Sequence, residues 1–219
     1  MDNHGGMHIY DKIEEWRNWP VHAVIGSIGG DKFFTSARIQ KPDATYAVKG
    51  DRATVKVSGV IPAAPVGKDK VLTGKIEYTR TFSVALDGVK IETSVKGDGA
   101  DKLAELYEAI PVFHREGALQ GSNVMATIEF QAGKSWVPAT PAYADKVTAI
   151  RITRFNGAAL ITLDRARRVK LSPAETGPGF LTGGVSRNIL IDLLESKDQP
   201  VALKDARAIS WSIAPAAKQ

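Results

Sequence analysis

At 219 residues with 43% hydrophobic side chains, the chain is long enough for one large domain and apolar enough for a substantial core. The absence of cysteine excludes disulfides, thiolate zinc sites and cysteine nucleophiles. A formal net charge of +5 favours anionic partners, and no run approaches the roughly 20 apolar residues of a membrane-spanning helix.

The first 20 residues are polar and tryptophan-rich and read as a lead-in segment, followed by a single β-sandwich domain over 21–215. "MDNHGGMHIYDKIEEW" lacks a basic stretch followed by an apolar one, so it does not read as a signal peptide. His4, His8 and His22 fall in or near this segment, and without further ligands they do not predict a built metal site. "IGSIGG" at 25–30 lacks phosphate-loop spacing and reads as a turn between strands.

Period-two alternation then dominates, the mark of half-buried strands. "RATVKVSGVI" places Ala53, Val55, Val57 and Ile61 on one face. "IEYTRTFSVALDGVKIETSV" reads as a hairpin turning at Asp87-Gly88, with Leu86 opposite Val89, Val84 opposite Ile91 and Phe82 opposite Thr93. In "DKLAELYEAI", Leu103, Leu106, Tyr107 and Ile110 match helical spacing as well as strand, and the all-β surroundings favour strand. "NVMATIEF", "VTAIRITRF", "AALITL", "RNILIDLL" and "ARAISWSI" read as further strands. The basic cluster "DRARRVK" reads as a solvated face. Short strands with frequent turns indicate an all-β antiparallel sandwich with at most short helical turns.

Three ionisable residues interrupt apolar faces: Arg80 in the hairpin, and Glu108 and His114 in "ELYEAIPVFHREG". A buried charge without a partner is costly, so each must pair or line a cleft. Two readings stand. In one, Arg80 and Glu108 form a buried structural pair. In the other, Glu108 is a general base, His114 an acid, and Arg80 a cation that neutralises a carboxylate or developing charge on a sugar. Trp16, Trp19 and Trp136, with His22, are candidate ligand contacts; isolated tryptophans serve packing more often than sugar stacking.

The run "YTRTFSVALDGVKIETSVKGDGADKLAELYEAIPVF" resembles the β-supersandwich of galactose-mutarotase-like domains. It is similar in particular to the C-terminal sandwich of heparinase II/III-like polysaccharide lyases. The features that carry the resemblance are Tyr78, Arg80 and Phe82, the Asp87–Val89 hairpin, and the Leu106–Val112 strand, with "RFNGAALITLDRARRVKLSP" as the closing strands. The resemblance implies a carbohydrate-associated domain, accessory or C-terminal in a polysaccharide-degrading protein and not catalytic by itself. Its partners would be an anionic polysaccharide or oligosaccharide and an upstream catalytic domain, and it would need no cofactor. Such a parent protein would be periplasmic or extracellular. The alternative is a stand-alone mutarotase, epimerase or lyase using Arg80, Glu108 and His114. Nucleic acid is not expected as a partner, since scattered charge is the only feature that favours it.

Overall fold

The computed structural model describes residues 22–30, 32–64, 70–115, 126–154, 157–172, 175–176, 185–196, 200–204 and 207–216. Within them lie sixteen strands, a single 3-10 turn at Ser36–Arg38, and no α-helix. Among the described residues, no helix is long and apolar enough to cross a membrane.

The strands are β1 (Ala23–Ser27), β2 (Phe33–Thr35), β3 (Asp43–Lys49), β4 (Arg52–Ile61), β5 (Ile76–Ala85), β6 (Gly88–Gly97), β7 (Lys102–Leu103) and β8 (Glu105–Arg115). The second half supplies β9 (Thr127–Ala132), β10 (Ser135–Pro138), β11 (Ala144–Arg154), β12 (Gly157–Leu171), β13 (Glu175–Thr176), β14 (Val185–Asp192), β15 (Val201–Ala202) and β16 (Arg207–Ala216). All pairings are antiparallel, and the main path runs β2-β1-β8-β14-β12-β16-β6-β5-β4-β3.

The long β12 is the seam of the sandwich. Its first half pairs with β16 through Ala158–Leu163, and its last three residues, Val169–Leu171, pair with β14. One continuous sheet thus folds into two leaves, β16-β6-β5-β4-β3 and β14-β8-β1-β2, with β11, β9 and β10 as a side branch. Between the leaves pack Tyr78, Ile91, Val95, Leu106, Ile110, Ile191 and Trp211, all buried. β8 is covered on both faces. Leu106 and Ile110 enter this core, while Tyr107 and Ala109 pack with Ala23, Ile25 and Leu190 in a second, smaller cluster. This two-sided burial is why the segment carries helix-like apolar spacing and is nevertheless a strand.

Two expectations are corrected. The hairpin turns one residue earlier, at Leu86-Asp87, so Val84 lies opposite Val89, Phe82 opposite Ile91, and Arg80 opposite Thr93. The cause is Gly88. It sits at φ +156, and a Cβ there would meet the Ile213 carbonyl oxygen at 2.5 Å. The glycine is spent on the close approach of β16 inside the ladder, not on the turn. The basic cluster is also not wholly solvated. A bulge in β11 between Ala144 and Val147, with Lys146 at φ +58, sets Val147 opposite Arg167. Arg167 is buried, donating from Nη2 to Asp164 Oδ2 at 2.9 Å and to the Ala208 carbonyl at 2.9 Å, and pairing with Glu195.

Candidate functional site

Glu108 and Arg80 face each other across the interior from different leaves. The strand periodicity of β8 aims Glu108 at the same side as Leu106 and Ile110, and that of β5 aims Arg80 beside Tyr78 and Phe82. Arg80 Nη2 donates to Glu108 Oε2 at 2.7 Å. The other two guanidinium nitrogens donate as well: Nε to Thr93 Oγ1 at 3.0 Å, and Nη1 to the His22 carbonyl at 3.0 Å. Glu108 Oε1 accepts from Thr93 Oγ1 at 3.2 Å and from Trp211 Nε1 at 3.2 Å, and contacts His22 Nε2 at 2.8 Å. Both charges are sealed, Arg80 at 3% and Glu108 at 0% exposure, and the network satisfies them as buried charges require.

The electrostatics follow from this packing. Burial is the strongest influence on Glu108 and pushes its carboxyl up. The Arg80 charge and the His22 contact together outweigh it and hold the pKa down at about 2. Burial pushes the neighbouring Tyr78 hydroxyl up to about 12.

His22 is the member of the network that reaches solvent, with 24% of its side chain exposed. Its ring is held edge-on against Trp211, centroids 5.3 Å apart, and against Phe82 at 5.9 Å. Since Glu108 is ionised, Nε2 donates this hydrogen bond, and no described residue bonds Nδ1. His22 stands over a graded face. Along one rung, Trp211 and Ile91 are buried, Phe82 and Val55 are half-buried, and Tyr46 on β3 is 83% exposed. Exposure thus rises along this rung away from His22, which meets Phe82 edge-on.

The structure thus brings Arg80, Glu108 and His22 together. His114 lies elsewhere: its backbone is six positions along β8 from Glu108, about 20 Å at strand rise, and its side chain lies outside the described atoms. Trp16 and Trp19 also lie outside the described residues. Trp136 is on β10, at the end of the side branch, where the Arg151 guanidinium covers one ring face at 4.4 Å and is itself tied to Glu129 at 2.8 Å. Sequence reading singled out His22 only as one of several candidate contacts. Its place in the network depends on the chain entering β1 opposite Glu108, with Val24 in register with it. Thr93 and Trp211 alternate like any face residues of their strands, and no local pattern marks them as partners of a carboxylate.

No family model matches the chain, and no curated protein matches it in sequence. Solved structures are similar to it in fold. A 4-alpha-glucanotransferase from Thermococcus litoralis is 14% identical with a TM-score of 0.43 over 79% of this chain. This chain spans only 23% of the length of that protein. An alpha-N-acetylgalactosaminidase from Bifidobacterium bifidum is 8% identical with a TM-score of 0.48, covering 90% of this chain and 31% of that one. A galactose mutarotase-like protein from Lactobacillus casei is 12% identical with a TM-score of 0.43, covering 93% of this chain and 88% of that one. At these identities the likeness concerns the strand framework alone.

Proposed function

We propose that this chain is a carbohydrate-associated β-sandwich domain that holds sugar on the open face beside His22 and does not transform it by itself. The observation that carries this reading is the asymmetry of the buried network. Arg80 and Glu108 are sealed with their hydrogen bonds satisfied, so neither can touch a substrate. Of the network, His22 alone breaches the surface, fixed between two aromatic rings with Nδ1 unbonded by any described residue and placed to hydrogen-bond a hydroxyl. Phe82 on β5 and Tyr46 on β3, on the same face with β4 between them, offer apolar rings, which suit the C–H faces of a pyranose. In a larger polysaccharide-degrading protein, lyase-like or otherwise, the domain would present the polymer to a neighbouring catalytic unit. The positive balance of the chain favours uronic-acid polymers among the ligands.

The test is calorimetric titration of the chain with neutral and anionic oligosaccharides at low and high salt. Saturable binding that persists at high salt and is lost in His22→Ala, with the fold retained, is the expected result. Absence of binding, or binding unchanged by His22→Ala, overturns the proposal.

One observation favours a second reading. A histidine oriented by a buried carboxylate is the geometry of a general base, so His22 could deprotonate an anomeric hydroxyl. Polarimetry of freshly dissolved aldoses with wild-type and His22→Ala protein separates the two. Acceleration of mutarotation that His22→Ala removes favours the enzyme.

A further inference from the structure

We infer that β3 is a self-complementary edge through which two copies of this chain pair. The other sheet ends are protected in familiar ways. β2 has three residues, all buried; β10 has four and ends on Pro138; β13 has two. β3 is different. Its seven residues, "DATYAVK", are all exposed, with Tyr46 at 83% and Val48 at 70%. It contains no proline and no bulge, and its partner on the inner side is β4 over the whole length from Asp43 to Lys49.

Three features point to a second copy of the same strand. The first is charge. Antiparallel self-pairing centred on Tyr46 overlaps all seven residues and sets Asp43 opposite Lys49 of the second copy, twice by symmetry. Neither residue has an ion-pair partner among the described residues. The second is the side-chain pattern. The same register sets Ala44 opposite Val48 and Tyr46 opposite its own copy, all on the apolar face, while Asp43, Thr45, Ala47 and Lys49 share the polar one.

The third is the direction of the free backbone groups. Gly50-Asp51 is a two-residue turn with Gly50 at φ +62, so Lys49 and Arg52 form the turn's hydrogen-bonded pair. Alternation then points the N–H and C=O of Ala44, Tyr46 and Val48 away from β4. Those are the residues that must exchange hydrogen bonds in the register centred on Tyr46. The two-fold axis of such a pair is perpendicular to the sheet, so the open faces of both copies lie on the same side. The pairing does not depend on the sugar reading.

Sedimentation equilibrium of the full chain over roughly 1–200 µM tests this, a range suited to a single-strand interface with few anchors. A reversible monomer–dimer equilibrium is expected. Val48→Pro removes an outward N–H without touching the β4 ladder and should leave a monomer with an unchanged circular dichroism spectrum. Asp43→Lys and Lys49→Asp should each weaken the dimer about tenfold, because each sets like charges opposite, and the double exchange should restore it. The double exchange decides the matter should Val48→Pro fail to fold. A chain that stays monomeric throughout, or a dimer indifferent to the charge reversals, overturns the inference.

Discussion

Glu108 on β8 and Arg80 on β5 meet at 2.7 Å although their strands belong to different leaves of the sandwich. The pair is an ionic staple through an otherwise apolar core. It also fixes how the chain enters the fold, since Arg80 holds the His22 carbonyl and Glu108 holds the His22 ring.

Breaking one side of this staple should be costly. Arg80→Met leaves a carboxylate at 0% exposure without its cation, and about 3–5 kcal/mol of stability should be lost. Replacing both members, Arg80→Met with Glu108→Leu, removes the stranded charge and should cost less than Arg80→Met alone. Urea unfolding of the three proteins checks this, and a double variant less stable than the single one would contradict it.

The same pair predicts an acid limb. The folded pKa of Glu108 is depressed from 4.5 to about 2. Its stabilisation is therefore complete above the unfolded value and is lost as pH falls from about 5 towards 2. A shift of this size corresponds to roughly 3 kcal/mol over that window. Asp98, held low by the N–H groups of Ala100 and Lys75, contributes a smaller slope of the same sign. Unfolding free energy measured between pH 7 and 2.5 should fall for the wild type, and the fall should be shallower in Glu108→Gln by about one proton. Equal slopes would mean that Glu108 is not the titrating group.

How much of this was legible in the sequence depends on whether the signal was local. The β5–β6 hairpin, β8 and β16 were readable because alternation is a local signal. The Arg80–Glu108 pair was readable as a pair because two opposite charges stood on apolar faces. The role of His22 was not, because it arises from residues 86 positions apart brought together by β1–β8 pairing. The exposed edge at β3 is illegible in the sequence for a related reason. Its apolar residues alternate as in any strand, and only the tertiary arrangement reveals that neither face is covered.

Arg167 allows a comparison that isolates burial of the partner. Like Arg80 it is buried, with its side chain 1% exposed, and it is paired with carboxylates. Its partners Asp164 and Glu195 remain 32% and 30% exposed, however, so water can solvate them once the cation is gone. Arg167→Met should therefore cost clearly less than Arg80→Met, about 1–2 kcal/mol. Equal losses in denaturant unfolding would show that the depth of the partner is not what decides the penalty.

A tight steric fit against a buried ring lies at Gly26 in β1. A Cβ at this position would fall 2.2 Å from Phe34 Cζ, with the ring's two ε carbons also closer than 3.0 Å. Phe34 faces Gly26 directly in the β1–β2 register and is 2% exposed, so the distal end of its ring occupies the space over the glycine and cannot swing to solvent without leaving the core. Gly26→Ala should destabilise the protein by about 2–3 kcal/mol through overpacking. The loss should be partly recovered by Phe34→Leu in the same chain, because the shorter side chain vacates the clash. A double-mutant cycle in urea measures the coupling directly, with at least about 1 kcal/mol expected for two residues in contact. Additive losses would mean that Phe34 moves aside freely, and that the glycine serves the backbone of β1 and not the ring above it.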